Sequence, residues 1–174
     1  MNIQEIESSL KALQKQVTVL EKAIKEFKEN SKPKTIYDLR YGDKYYAINC
    51  EGAISTIMFL NSSIDERIIN GGNAFLTYKE AEYEVKCREV YTQLKKYSYD
   101  FSYEEWKNAN LLKYRMCFNC YAKEINIDFT YSIINSFLYF KSSEDIENAI
   151  KEVGEDNIIK YYFRVKDYKG EKQN

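Results

Sequence analysis

Two cysteines three residues apart, in Cys117-Phe118-Asn119-Cys120, are the nearest approach in this chain to a metal-binding or redox motif. Such a pair works when both sulfurs face one point in space. Here the four residues sit in a run that alternates apolar and polar side chains. Positions three apart on a strand face opposite ways, so the thiols would meet only across a bulge. Completing a tetrahedral site would draw in Cys50 and Cys87, and Cys87 belongs to the apolar stripe of a helical run. The cysteines therefore read as reduced and structural, with no metal and no cofactor expected. Histidine, the usual general base near neutral pH and the commonest metal ligand, is missing from the sequence. Neighbouring carboxylates such as Glu104 with Glu105 and Glu155 with Asp156 stand at helix starts, where the dipole favours acidic groups. Neither a Gly-x-Ser-x-Gly turn nor a phosphate-cradling glycine pattern occurs. These residue types point to a binding protein and away from an enzyme.

Tyrosine is the unusual component, with 17 copies, several of them in tight groups. A phenol ring supplies contact area at low entropic cost and ends in a polar tip, which suits interfaces and stacking on bases. Tyr45, Tyr46, Tyr99, Tyr103, Tyr161 and Tyr162 are the candidate partner-binding residues; the competing reading is an aromatic core.

The elements that would carry these groups begin with a heptad seam. Ile3, Ile6, Leu10, Leu13, Val17, Leu20, Ile24 and Phe27 alternate spacings of three and four, and the segment also carries five acidic and five basic side chains. This predicts a coiled-coil helix over 1–30 that self-associates; branched and unbranched residues mix along the seam and select no strand number, so a dimer stands only as the commonest default. Pro33, the only proline, ends it within a linker at 31–43. Strands are expected at Lys44 to Asn49 and Ile54 to Leu60 around a Cys50–Ala53 turn, with a polar loop from Asn61 to Asn73. A short strand at Ala74 to Leu76 then leads to a helix capped by Thr77 and Glu80 and packed through Tyr83, Cys87, Val90, Leu94 and Tyr97. Ser102 and Glu105 cap a short helix, with Phe101 and Trp106 as a hydrophobic staple.

Tyr114 to Cys120 and Glu124 to Tyr131 read as an antiparallel hairpin with one buried face, and Phe137 to Phe140 as a further strand. Ser142 and Asp145 cap a helix whose core positions are Ile146, Ala149, Ile150 and Val153, stopped by Gly154. Glu155 to Phe163 returns aromatic residues to the core, and 164–174 is a charged, frayed tail. The fold class is α+β, with one domain over 44–163. Its halves, 44–100 and 113–163, look like two copies of a ββ(β)α unit, because Phe75 with Thr77 and Phe140 with Ser142 recur 65 residues apart.

The net charge of -1 hides a mild gradient, with residues 124–163 carrying 8 acidic against 3 basic side chains. No basic cluster tracks phosphates, so nucleic acid is disfavoured as a partner. The N-terminus lacks the pattern of a secretion signal, and no apolar run reaches the roughly 18 residues that span a bilayer. A cytoplasmic location, with no membrane partner, is expected.

The segment Gly72-Asn73-Ala74-Phe75-Leu76-Thr77-Tyr78-Lys79-Glu80-Ala81-Glu82 resembles a "GN-x-F-x-T-x-E-E-A-E" stretch of small phage and prophage accessory proteins of Gram-positive bacteria. Tyr139 to Glu144, Ala149-Ile150, Gly154-Glu155-Asp156 and Lys160 to Phe163 are similar to the "YFSSEE…AI…IGED…KYYF" ending of the same family. The resemblance spans roughly 44–163 and leaves the coiled coil outside it. It implies a phage-encoded counter-defence inhibitor that blocks a bacterial immune protein, such as a CRISPR effector, in the host cytoplasm. It carries over no catalytic residue. Two other classes stand beside this expectation: a sponge holding a nucleotide signal in a tyrosine-lined pocket, and an oligomeric regulator associated with nucleic acid.

Overall fold

The structure, a computed structural model, describes residues 2–30, 33, 35–131 and 138–166. Its elements are α1 (Ile3–Asn30), β1 (Lys44–Ile48), β2 (Ile54–Met58), α2 (Ser63–Asn70), β3 (Ala74–Phe75), α3 (Tyr78–Lys95), α4 (Tyr103–Lys107), β4 (Lys113–Asn119), β5 (Glu124–Thr130), α5 (Ser143–Val153) and α6 (Glu155–Asn157). A π-helical stretch, Ile158–Tyr162, follows α6. β1, β2 and β3 form a sheet in the order β2-β1-β3, while β4 and β5 form a two-stranded ribbon. This is an α+β architecture. By packing the chain divides into two units, Met1–Tyr45 with Thr56–Leu76, and Tyr46–Ser55 with Thr77–Asn174. These boundaries differ from the single domain expected over 44–163.

In the first unit, α1 spans the heptad segment. A 3-10 turn at Ile36–Asp38 is pinned by the Asp38 carboxylate, which accepts the Thr35 backbone N–H at 2.8 Å and its hydroxyl at 2.9 Å. Leu39 after it is buried, while Ser31, Lys32 and Lys34 lie outside the described residues.

The loop expected from Asn61 to Asn73 is instead a helix, α2. Ser62 is its N-cap, and Asp65 completes a capping box three residues on. One carboxylate oxygen of Asp65 accepts from the Ser62 N–H (2.9 Å), the Ser62 hydroxyl (2.7 Å) and the Leu60 N–H (3.1 Å). The other accepts the Tyr45 hydroxyl at 2.9 Å. Asp65 and Tyr45 are both buried, so this polar knot fills the place of an apolar core contact.

The second unit holds the main hydrophobic cluster. Val90 and Leu94 of α3, Met116 of β4, Phe140, and Ile146, Ala149 and Val153 of α5 pack together with Leu138 and Ile158. The stripe read from α3 is the buried one at Cys87, Val90 and Leu94, and that of α5 at Ile146, Ala149 and Val153. Ile150 is partly buried against the same cluster. Thr77, Ser102 and Ser142 each cap their helix, and their backbone N–H groups donate the reciprocal bond to the carboxylates of Glu80, Glu105 and Asp145. Phe101 and Trp106 meet edge to face at 5.6 Å, as the staple requires. Gly154 stops α5 at φ +87°, a conformation that glycine adopts without steric cost.

The ribbon pairs Met116 with Ile127 and Tyr114 with Phe129. Its apolar face is covered on β4 and half open on β5: Met116 is 2% exposed, Phe129 49%. Among the described residues β5 pairs only with β4, and of its side chains Ile125 packs against the cluster while Ile127 and Phe129 stay exposed. This corrects the single buried face read from the alternation. The strand expected over Phe137–Phe140 reduces to one antiparallel bridge, Tyr114 to Phe140, and Phe137 lies outside the described residues. Lys113, fully buried at the start of β4, donates to the carbonyls of Asn108 (2.9 Å) and Trp106 (3.5 Å).

Candidate functional site

Glu84, Cys87, Arg88 and Tyr91 follow one another on α3 at intervals of three, one and three, which keeps them on one side of the helix. Facing them is the π-helical stretch, whose widened turn sets Tyr161 and Tyr162 side by side, with Arg164 two residues later. Between them lies a pocket of about 440 Å³, lined by Cys87, Arg88, Tyr91, Thr92, Tyr161, Tyr162 and Arg164.

The walls are tied down from behind. Tyr83 stacks obliquely on Tyr161 at 5.5 Å and donates its hydroxyl to the Lys160 carbonyl at 2.6 Å. Tyr162 accepts the Leu138 backbone N–H at 3.1 Å, and its ring runs near-parallel to Tyr91, 27° apart with centroids at 6.5 Å. Glu84 is the shared anion: Oε1 takes Arg88 Nε at 3.2 Å and Oε2 takes Arg164 Nη1 at 2.9 Å.

Burial pushes the Cys87 thiol up, the Tyr83 phenol up to about 12, and the Tyr162 phenol up as well. The hydrogen bond to Glu84 holds the Arg164 guanidinium in its charged form. At neutral pH these groups therefore offer rings, hydroxyls and cations, and neither a thiolate nor a phenolate.

The candidate tyrosines separate into three groups. Tyr45 is a core residue bonded to Asp65, which corrects its reading as a binding residue. Tyr46 and Tyr99 are half-buried: Tyr46 meets Tyr78 edge-on, and Tyr99 packs on Phe101, bonds Glu105 at 3.1 Å and lies under the Lys141 ammonium. Tyr103 is exposed, with Lys107 over its ring. Tyr161 and Tyr162 meet at the pocket against α3.

Along α1, Ile3, Leu10, Leu13, Val17, Leu20 and Ile24 are each more than half exposed. The side chains of Ile6 and Phe27 lie outside the described set. Cys117 sits in β4 and Cys120 in the turn beyond it, and all four thiols are free. No group of three or more Cys, Asp or Glu placed to hold a metal occurs among the described residues. None of the described helices is long and apolar enough to cross a membrane.

Arg88, Tyr91 and Arg164 were not singled out from the sequence. Tyr91 lies beside the buried stripe rather than on it, and Arg164 was assigned to the frayed tail. Arg164 to Lys166 are instead ordered: the Val165 N–H bonds the Ile159 carbonyl at 3.1 Å, and Lys166 lies over the Tyr83 ring. Residues 167–174 lie outside the described set. Comparison of the chain with protein-family models, with curated proteins and with solved structures returns no match.

Proposed function

We propose that this chain is a non-catalytic binding protein that self-associates through α1 and acts by covering a surface of another protein. The observation that carries the reading is the row of six described heptad residues, Ile3 to Ile24, each more than half exposed along one seam. Burying a large aliphatic side chain is worth about 1.5–3 kcal/mol, so a second copy of the same helix is the natural cover. The equal numbers of acidic and basic side chains in the segment suit that pairing at its flanks. Association would double whatever the body of the protein presents and raise avidity without new contacts.

The resemblance of the Gly72–Glu82 and Tyr139–Phe163 segments to phage accessory proteins supplies the partner class: a bacterial immune protein, such as a CRISPR effector, met in the host cytoplasm. The test joins two measurements on the full chain. Sedimentation should give a concentration-dependent dimer that Leu13→Glu with Val17→Glu converts to monomer. Purified immune effectors should be inhibited by the wild type and far less by the double variant. A chain that sediments as a monomer at all concentrations would remove the basis of the proposal.

A further inference from the structure

We propose that the pocket between α3 and the π-helical stretch is a mononucleotide site, which takes a flat base against its tyrosine rings and a phosphate on Arg88 and Arg164. The inference is independent of the association through α1.

The backbone gives the first reason. Arg164 has φ +58°, just past the end of a helix. That position ordinarily belongs to glycine, because a side chain there crowds the backbone. The closing bond from the Val165 N–H to the Ile159 carbonyl would form equally well with glycine at 164. Placing arginine there brings a guanidinium to the mouth of the pocket, and sparsely populated conformations of this kind cluster at ligand sites.

The charge arrangement gives the second. Two guanidiniums converge on the single carboxylate of Glu84, so the three groups carry one net positive charge before any ligand arrives. Lys160 and Lys166 lie over the rings of Tyr161 and Tyr83. Guanidinium forks match phosphate oxygens in pairs.

The walls give the third. Tyr91, 42% exposed, runs near-parallel to Tyr162, with Tyr161 adjoining. Aromatic faces accept any base by stacking. At about 440 Å³ the space falls within the range of small-molecule sites. Rings without cations would suit an uncharged ligand, and cations without rings a bare anion; the combination selects an aromatic phosphate.

Calorimetric titration of the full chain with AMP, GMP, adenosine and inorganic phosphate reads the two halves of the proposal separately. The nucleotides should bind about tenfold or more tighter than adenosine or phosphate, since each contributes only part of the contact. Arg164→Gly tests the cation while relieving its backbone, so it should fold at least as well and still lose about tenfold or more in nucleotide affinity. Tyr91→Ala should weaken the nucleotides and leave phosphate unchanged, and Arg67→Ala on α2 should change nothing. Flat titrations with all four compounds would overturn the proposal. So would phosphate binding as tightly as AMP, a preference for a phosphotyrosine peptide over the nucleotides, or nucleotide affinity that survives both Arg164→Gly and Tyr91→Ala.

Discussion

Residues 44–95 and 113–153 are built to one plan and closed in two different ways. Each begins with a hairpin, β1–β2 and β4–β5. Each then lays a short pairing segment ending in Phe beside the first strand of that hairpin: β3 neighbours β1, and Phe140 bridges Tyr114. Each continues into a helix capped two residues later, by Thr77 and by Ser142. The first adds α2 between hairpin and short strand, and seats the buried Asp65 carboxylate under Tyr45. The second packs Phe140, Ile146, Ala149 and Met116 into a cluster that also takes in Val90 and Leu94 of α3. The same order of hairpin, short pairing segment and capped helix serves both, with the buried Asp65–Tyr45 bond in the first alone.

The comparison is tested hardest at Phe140, the fully buried ring of the second segment. Phe140→Ala should cost about 3–5 kcal/mol by cavity formation, read as a lowered midpoint in denaturant unfolding.

Next in size is the pair of capping carboxylates, Asp65 and Asp145. Both bond the serine three residues earlier, but only Asp65 also serves Tyr45 and Leu60 from a buried position. Asp65→Ala should cost about 3 kcal/mol because it strands buried donors, while Asp145→Ala should cost about 1 kcal/mol as a lost cap. Equal losses would mean that the polar knot is no more than a cap.

Acid titration sharpens the same contrast. The bonds from Ser62 and Tyr45 lower the Asp65 carboxyl from 3.8 to about 2. A group depressed on folding stabilises above its unfolded value and loses that contribution as pH falls through its folded value. About 2 kcal/mol should therefore be present above pH 4 and disappear between pH 4 and 2. Asp65→Asn should flatten the slope in that window.

The smallest difference between the two segments is at their helix ends. α5 stops on Gly154 at φ +87°, whereas α3 stops on Lys96 in an ordinary right-handed conformation. Gly154→Ala should cost about 1–2 kcal/mol, and Lys96→Ala should leave the unfolding midpoint unchanged.

Much of the frame was legible because capping boxes and periodic stripes are local. Thr77 with Glu80, Ser102 with Glu105 and Ser142 with Asp145 announced three helices. Ser62 with Asp65 has the same spacing, but α2 is only 8 residues long and runs into Gly71-Gly72, so its apolar period had no room to show. The pocket was half legible. Tyr161 and Tyr162 drew notice by type, whereas the value of Arg164 lies in a backbone angle that residue identity argues against. Tyr45 was misread because a buried phenol and a surface phenol look alike until the partner, Asp65, is seen 20 residues away.

Lys113 carries a consequence of a different kind. Its ammonium is sealed from solvent and bound to two carbonyls, so an acylating reagent that labels exposed lysines meets it only when β4 lifts away. The slow appearance of label at this one amine is thus a clock for the parting of β4 from the Trp106–Asn108 segment, running inside the otherwise intact protein.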